Sequence, residues 1–391
     1  MFLHKIDKKL VNLVKTQSSE QSVSCLVYAK DYHLAKSYLS KYFDKTLKEY
    51  PFINAFALNV NVDKIISLAK KSDISYISSV TKVFAQMDIV RKVTKIDLAN
   101  QVLTGEDVTV AIIDTGICEH LDFCSFENRI VCFKDFVNKK EIPYDDNGHG
   151  TFVAGVMCGN GFLSGKKYCG VAPNCKIVMC KALDSNGETG ATTILEAMQW
   201  IYDNRKKYNI KIVCMSFGSQ PLESGDPLML GAEALWNAGI VVVAAAGNSG
   251  PSERTIKSPG ISPKIITVGA FDDGRNIVDE NLREYKVADF SSRGPAFAFY
   301  KPDCVACGVD IVSSCNKKEK LYTKMSGTSV ATPIVAGSCA LLLSKNPKLS
   351  PIEVKSKIMS SCHQIKGNRN DEGMGYLDAE ILCDVQKNLQ D

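Results

Sequence analysis

Three segments of this 391-residue chain each present a side chain that can take part in nucleophilic catalysis. The first ends an apolar run with Asp114 and continues into a Thr-Gly turn. The second places His149 between two glycines at the start of a helical stretch. The third places Ser329, after Gly327 and Thr328, at the start of an apolar helix. A carboxylate, an imidazole and a hydroxyl are the groups that activate a serine nucleophile when they meet in a fold.

Each residue alone also has an ordinary structural explanation. Asp114 can cap the turn after its strand, His149 can be a hydrogen-bonded surface or core histidine, and Ser329 can be a helix N-cap. The position of Asp114 at the end of a strand favours a catalytic role, because ligands of open α/β sheets bind at the carboxyl ends of strands. A hydroxyl at a helix N-terminus faces free N–H groups and the positive end of the helix dipole. Pro333 fits the same helix start, where a missing N–H costs least.

In chain order, the three segments resemble the catalytic segments of the subtilisin-like serine peptidases. The order Asp, His, Ser is that of subtilisin and differs from the orders in chymotrypsin and the α/β-hydrolases. The resemblance runs from about residue 105 to residue 343 and implies an Asp114–His149–Ser329 catalytic triad. The matching sequences are Ile113-Asp114-Thr-Gly, Asn147-Gly-His149-Gly-Thr and Gly327-Thr-Ser329-Val-Ala-Thr-Pro.

A fourth segment extends the resemblance to the oxyanion. Val243-Ala-Ala-Ala-Gly247-Asn248-Ser-Gly250 resembles the family segment whose asparagine donates to the oxyanion. The resemblance therefore implies that Asn248 acts together with the backbone N–H of Ser329. On its own, an asparagine at a strand end is a common turn former.

The resemblance also implies a substrate cleft. Ser216-Phe217-Gly218 would form an extended edge to which a peptide adds as a strand. Residues 258–263 would approach the base of the primary pocket, and Lys257 stands where the family usually has a small residue. Lys257 either favours acidic or polar substrate side chains or points into solvent. The other pocket wall would comprise Ala244, Ala245, Ala246 and Gly247.

A metal site finds little support. Many secreted family members bind calcium through a loop after the histidine helix, but residues 159–168 contain no carboxylate here. Calcium takes six to eight oxygen ligands, usually with negative charge. Asp122 matches one family ligand, and one ligand is not a site. Cys304-Val-Ala-Cys307 has zinc-knuckle spacing but lacks a second pair. We therefore expect no metal and no other cofactor.

The candidate residues can act together only if strands and helices bring them close to one another in the fold. Strands with near-continuous apolar faces that alternate with helices predict an α/β domain with a doubly wound, mainly parallel sheet. We assign residues 89–391 to this domain, as a catalytic domain of the subtilisin type. Strands are predicted at residues 108–113, 176–181, 211–216, 240–246 and 265–270, and helices at residues 192–207, 227–238 and 328–343.

The first 88 residues differ in composition from the rest of the chain, because they are rich in lysine and contain no glycine. Apolar runs at 23–28, 55–60 and 76–83 alternate with helical stretches at 32–43 and 62–71, which predicts helices on a small antiparallel sheet. The resemblance implies that residues 1–88 are a ferredoxin-like α+β propeptide, an intramolecular chaperone and inhibitor. Self-cleavage is then expected between about residues 84 and 92.

Composition excludes several functional classes. Apolar residues make up 45% and charged residues 23%, as in globular chains. The 47 basic and 43 acidic residues leave a net charge of +4 without a basic block, so no nucleic-acid partner is expected. The longest uncharged apolar run, residues 240–246, is far shorter than the ~20 residues of a membrane span. No secretory-signal pattern is present, and the fifteen cysteines favour reduced thiols and a cytoplasmic location.

Together these features predict a serine endopeptidase that forms an acyl-enzyme and is synthesised as a self-processing precursor. Its partners would be polypeptide substrates and its own propeptide. The resemblance is nearest to the intracellular, alkaline-protease-like branch. The main alternative is a non-catalytic pseudoprotease that keeps the fold as a regulatory binding protein, although all four catalytic groups are present. An esterase or peptide ligase with the same triad is also open.

Overall fold

The chain divides into two compact units, Met1–Phe84 and Ala85–Asp391, close to the boundary predicted after residue 88. The predicted strand at 76–83 and the predicted cleavage range both extend outside the described residues. The computed structural model describes residues 3–7, 10–11, 22–43, 47–51, 54–79, 86–275, 277, 284–317 and 319–385.

Within its described residues, the N-terminal unit contains a four-stranded antiparallel sheet and two helices of eight or more residues. Its strands stand in the order β2-β3-β1-β4, the βαββαβ arrangement of a ferredoxin-like fold. Sequence patterns predicted both helices and three strands but not β2, because Lys48-Glu49-Tyr50 has no buried residue to reveal it. The elements are β1 (Ser22–Ala29), α1 (Tyr32–Phe43), β2 (Lys48–Tyr50), β3 (Ala55–Asn61), α2 (Val62–Ala69) and β4 (Ile74–Ser79).

The second unit is built on a mainly parallel sheet, as predicted. Its strands run in the order β15-β16-β12-β10-β9-β8-β5-β7-β6, with β11 paired to β10. The strands are β5 (Thr109–Asp114), β6 (Ile130–Asp135), β7 (Lys176–Lys181), β8 (Ile210–Met215), β9 (Val241–Ala245), β10 (Ile266–Asp272), β11 (Lys286–Val287), β12 (Cys304–Cys307), β15 (Cys362–His363) and β16 (Tyr376–Leu377), with a separate antiparallel hairpin of β13 (Ile311–Lys317) and β14 (Lys320–Met325).

Helices cover this sheet and connect its strands. The three longest were predicted to within a few residues at either end. They are α3 (Gln86–Val93), α4 (Ile96–Ala99), α5 (Leu121–Cys124), α6 (His149–Cys158), α7 (Ala191–Asn204), α8 (Pro227–Asn237), α9 (Thr328–Lys345), α10 (Pro351–Ser360), α11 (Arg369–Glu372) and α12 (Ala379–Leu382).

The centre of the sheet determines where the candidate residues lie. Every residue of β5 is buried, and β5 lies between β7 and β8. Parallel pairing sets Asp114 opposite Lys181 of β7, so both strands end at the same edge. Turns that follow β8 and β9 reach the edge where β5 ends. This edge is where ligands of open α/β sheets bind.

Helix α9 is the longest helix of the described chain and is buried along most of its length. Fifteen of its residues are buried, among them the run Val330–Leu343, which explains why its sequence shows no polar face. Among the described residues it is the one helix long and apolar enough for a membrane span, and 83% of that apolar window is buried inside the protein.

Candidate active site

Asp114 lies at the carboxyl end of the central strand β5 and is 1% exposed. Its Oδ1 accepts a hydrogen bond from the N–H of Thr115 at 2.7 Å and lies 2.7 Å from Nδ1 of His149. Its Oδ2 is buried and has no hydrogen-bond partner within the described chain. The imidazole of His149 and the N–H of Thr115 therefore share Oδ1.

His149 is the first residue of α6, and the turn before it fixes its direction. Gly148 has φ +106°, and a Cβ there would lie 2.7 Å from Oδ1 of Asn316, so this position requires glycine. The buried Asp145 carboxylate accepts from the N–H of Gly148 and the N–H of Thr151, both at 2.8 Å. These bonds close the turn so that the ring of His149 faces Asp114.

The environment of His149 controls its protonation. Burial alone would lower the pKa of this imidazole. The charge and hydrogen bond of Asp114, with a further contribution from Asp145, outweigh burial and raise the pKa above its ordinary value. The side chain remains 26% exposed, so it is accessible to a ligand.

Ser329 and Asn248 meet beside Gly327. A Cβ on Gly327 would lie 3.1 Å from Oγ of Ser329 and 3.3 Å from Nδ2 of Asn248. Oδ1 of Asn248 accepts from the N–H of Thr328 at 2.9 Å and from its hydroxyl at 3.0 Å. With its oxygen engaged in this way, the asparagine presents its NH₂ group toward the serine. The N–H of Ser329 lies in the first turn of α9, where helices provide no acceptor of their own.

Pro333 does not lie where the sequence suggested. It is the sixth residue of α9, beyond the first turn, and so its missing N–H is not one of the free N–H groups of the helix start. In an α-helix the N–H of residue i donates to the carbonyl of residue i−4. Because Pro333 has no N–H, the carbonyl of Ser329 has no partner within the helix. The proline therefore loosens the ladder directly behind the serine.

The structure thus forms two pairs at one edge of the sheet, Asp114 with His149 and Asn248 with Ser329. No hydrogen bond joins the two pairs among the described residues. Contacts between a catalytic base and its nucleophile are often long in ligand-free proteins and shorten when substrate binds.

The predicted substrate cleft begins where β8 ends. Phe217 and Gly218 lie beyond the last paired residue of β8, Met215, and form no turn or loop hydrogen bond of their own. Pairing resumes at Ser219, which exchanges two backbone hydrogen bonds with Ser258 at 2.9 and 3.0 Å. Ser216 is buried, whereas Gly218 is exposed.

Lys257 lies between the two predicted pocket walls. Its stem packs against Gly218 on one side and Gly247 on the other, and its N–H donates to the carbonyl of Ala246 at 2.8 Å. Its Nζ donates to Oε1 of Gln220 at 2.8 Å. The stem of the side chain is half-buried, whereas its ammonium forms an exposed hydrogen bond, so both alternatives that the sequence left open remain.

Sequence reasoning missed several residues that hold this site together. Thr115 donates its hydroxyl to Asp145 at 2.9 Å and accepts from the N–H of Gly150 at 2.9 Å. Lys181 is completely buried beside Asp114, although lysine is rarely buried. One feature of the sequence could have drawn attention to Lys181: it is a lysine at the end of the predicted apolar strand KIVMCK, just as Asp114 is at the end of its own strand.

The region around Asp122 does not fit a calcium ion. Protein donors engage both carboxylate oxygens: the N–H of Leu163 at 3.1 Å, the Tyr322 hydroxyl at 2.8 and 3.1 Å, and the Ser314 hydroxyl at 3.4 Å. Burial, more than the nearby carboxylate, raises the pKa of Tyr322, so its hydroxyl remains a donor. The described residues contain no cluster of three metal-ligating side chains. Hydrogen-bond donors therefore surround the oxygens that a cation would need.

Comparisons with known proteins agree with this geometry. Residues 105–376 match the model of the subtilase family of peptidases. The chain is 42% identical over 301 residues to serine protease AprX of Bacillus subtilis (strain 168), covering 72% of this chain and 67% of AprX. It is 34% identical over 282 residues to subtilisin DY of Bacillus licheniformis, covering 71% and 92%. Among solved structures, sphericase superposes with a TM-score of 0.62 at 29% identity, covering 74% of this chain and 96% of sphericase.

Proposed function

Because this chain belongs to the subtilase family, we propose that its activity as a serine endopeptidase is carried out by Asp114, His149 and Ser329, with Asn248 binding the oxyanion. Its substrates are polypeptides. The observation that carries this assignment is the 2.7 Å contact between His149 Nδ1 and Asp114, at the sheet edge to which Asn248 and Ser329 also belong.

The proposed reaction proceeds through an acyl-enzyme. Oγ of Ser329 bonds to the carbonyl carbon of the scissile peptide, while Nε2 of His149 takes the hydroxyl proton. The tetrahedral intermediate then expels the amine, which leaves with that proton. A water molecule, deprotonated by the same imidazole, cleaves the ester and restores the serine. Asp114 keeps the imidazole in one tautomer and stabilises the imidazolium.

Two donors would stabilise the negative oxygen of the intermediate. These are the N–H of Ser329 and Nδ2 of Asn248, with the positive end of the α9 dipole behind them. Thr328 fixes the amide of Asn248 through both its N–H and its hydroxyl, so the donor is oriented before substrate arrives.

Covalent labelling tests the assignment. A fluorophosphonate should phosphonylate wild-type protein at one site, and peptide mapping should find the label on Ser329. Ser329→Ala, folded as judged by circular dichroism, should take up no label. A non-catalytic relative would not react, and a label on any other residue would refute the assignment.

We further propose that the N-terminal unit is a propeptide removed by self-cleavage. Proteases bind their substrates as extended strands, because main-chain hydrogen bonds hold the peptide. Helix α3 spans Gln86–Val93, and its Val90 is fully buried in the second unit. Arg91 donates to the carbonyl of Gly170 at 2.8 Å and to Oδ1 of Asn100 at 2.9 Å. We therefore favour the start of the range 84–92, ahead of this helix.

Expression of two variants tests maturation. Wild-type protein should yield two fragments, and N-terminal sequencing of the larger one should begin near residue 85. Ser329→Ala should remain a single chain of 391 residues and should be cut at the same junction when active enzyme is added. Normal maturation of the serine variant in a protease-free preparation would refute self-cleavage.

A cytoplasmic location is also proposed. All fifteen cysteines are free thiols, as expected for a protein of a reducing compartment. Cell fractionation combined with alkylation under denaturing conditions checks this, because oxidised cysteines or an extracellular protein pool would contradict it.

A further inference from the structure

A buried lysine connects the two chain segments that carry the acid–base pair. Lys181 is the last residue of β7 and pairs in register with Asp114, the last residue of β5. Its side chain is 0% exposed. The chain that follows it remains bound to β5, because the N–H groups of Ala182 and Leu183 both donate to the carbonyl of Asp114, at 2.9 and 3.2 Å.

The ammonium group has three oxygen partners. Nζ donates to the carbonyl of Thr115 at 2.6 Å, to the carbonyl of Leu183 at 3.0 Å, and to Oδ1 of Asp146 at 2.7 Å. The face of the Tyr144 ring lies 4.9 Å from Nζ. All three ammonium hydrogens are therefore used, as a buried cation requires.

These partners belong to both halves of the acid–base pair. Thr115 directly follows Asp114, and Asp146 lies in the turn that leads to His149. The same two segments are joined a second time, where the hydroxyl of Thr115 donates to Asp145. Lys181 thus contacts this turn through Asp146, whereas Asp145 joins the turn to the end of β5 through Thr115.

We propose that Lys181 is a positioning residue for catalysis, one that holds the turn of residues 145–148 against the end of β5 and so sets the imidazole of His149 relative to Asp114 and Ser329. The inference rests on the proposed function of those three residues. Lys181 acts through them, since its contacts are with Thr115, Leu183 and Asp146.

A purely structural role is the competing explanation, and the chain contains a matched control for it. Lys301 is also buried, at 1% exposure, and also has three oxygen partners. Its Nζ donates to the carbonyl of Ile265 at 3.1 Å, to the Thr267 hydroxyl at 2.8 Å and to Asp303 at 2.6 Å. None of these groups contacts the acid–base pair. Lys301→Met therefore measures what the loss of a buried lysine does to the fold alone.

The experiment compares Lys181→Met with Lys301→Met in the full chain. Fluorophosphonate titration counts competent sites, and kcat and KM for a peptide are expressed per titrated site. We expect Lys181→Met to lower kcat about 10- to 100-fold, because small misplacements of reacting groups cost that much, with KM changed less than about threefold. The acid limb of its pH profile should move to lower pH as the imidazole loses its close carboxylate. Lys301→Met should keep kcat within about threefold.

Three results would overturn the inference: equal kcat effects in the two lysine variants, a change confined to KM, or an acid limb that does not move. If Lys181→Met fails to fold, the variant Asp146→Ala tests the positioning role instead. It removes only one partner of Lys181, and that partner's side chain is 38% exposed, so the fold is disturbed less. That variant must lower kcat with KM unchanged, and an unaltered kcat refutes the role. Full activity in Ser329→Ala would instead refute the triad itself, so the two failures are distinguishable.

Discussion

His149 is the residue whose protonation governs the proposed reaction. It can accept the serine proton only when neutral, so activity must rise with pH through its pKa. Asp114 raises that pKa above its ordinary value of about 6.5, which moves the acid limb upward, into the neutral or mildly alkaline range. We expect kcat/KM to climb with pH above about 6.5 and to remain high at mildly alkaline pH.

The variant Asp114→Asn tests the cause of this limb. Without the carboxylate, burial becomes the dominant influence and the limb should shift to lower pH, while kcat falls about 10⁴-fold. A pH–rate profile of both proteins provides the measurement. A wild-type optimum near pH 4–5 would indicate carboxylate chemistry and contradict the assignment of His149 as base.

Asn248 offers a second test at the same scale. Asn248→Ala removes one oxyanion donor and should lower kcat about 10²- to 10³-fold with little change in KM, a magnitude carried over from subtilisin itself. Ser329→Ala should lower kcat by about 10⁶, also a subtilisin value. Asn248→Asp should lower kcat as well, since it keeps an acceptor for Thr328 but presents no NH₂ group. Steady-state kinetics with catalytic activity unchanged in Asn248→Ala would exclude the oxyanion role.

Lys257 leads to a prediction about substrate preference. Its ammonium contacts a neutral amide, and no carboxylate lies within ion-pair distance in the described chain. An acidic side chain in the pocket would supply the missing charge, so peptides with Glu before the scissile bond should be cut about tenfold faster than those with Gln. Lys257→Gln should abolish the difference. Equal kcat/KM for the two peptides with wild-type enzyme would show that the lysine has no such role.

At this scale, the sequence identified the residues that resemble a family motif, but not those that hold them in place. The sequence motifs around the four proposed catalytic residues are short, rich in glycine and characteristic of the family. These residues are Asp114, His149, Asn248 and Ser329. Lys181 lies in an ordinary apolar strand, and its importance depends on which strand end lies beside it. That neighbour is set by the order of strands in the sheet, which local sequence does not encode.

Among the elements, the hairpin of β13 and β14 explains why we expect no dependence on calcium. Tyr322 of β14 donates to the buried carboxylate of Asp122, which already receives protein donors at both oxygens. EDTA should therefore leave initial rates unchanged, and added Ca²⁺ should not raise Tm. Thermal melts with and without each reagent provide the check, and a rise of several degrees in Ca²⁺ would show that the protein binds calcium and contradict this expectation.

The variant Tyr322→Phe tests whether the Tyr322 hydroxyl stabilises the buried carboxylate of Asp122. It leaves a buried carboxylate short of a donor and should lower the free energy of unfolding by about 1–3 kcal/mol. Tyr168→Phe, whose ring lies 4.7 Å from that of Tyr322, removes a hydroxyl without touching Asp122 and should have little effect.

Long elements were predictable because burial imposes a pattern on them. The strands at the sheet centre are apolar along most of their length, with charged residues only at or near their ends, and α7 and α8 have the expected helical periodicity. The short or peripheral strands were missed, namely β2, β6 and β11 to β16. Their sequences are too short or too mixed for a period of two to be visible, and pairing with neighbours, rather than local preference, makes them strands.

Considered as a whole molecule, the protein contains many thiols but little reactive sulfur. Burial raises the pKa of Cys118 to about 11 and that of Cys214 to about 12, so few thiolates exist near neutral pH. Iodoacetamide at pH 7.5 should leave activity largely intact under native conditions. Mass spectrometry should find all fifteen sites alkylated only after denaturation. Stoichiometric inactivation that tracks a single cysteine would contradict a serine mechanism, and Cys118→Ser is the control for steric crowding near Asp114.

The positions of the four proposed catalytic groups along the chain also determine when a newly made molecule becomes active. A ribosome releases Asp114 first, then His149 and Asn248, and Ser329 last. At typical elongation rates, the interval between the first and last of these is on the order of tens of seconds. Throughout that interval the nascent polypeptide lacks the nucleophile, and β8, β9 and β10 still lack α9 to pack against. Peptide hydrolysis must therefore wait until the segment that carries Ser329 has been translated, which protects the emerging chain and its neighbours on the same polysome.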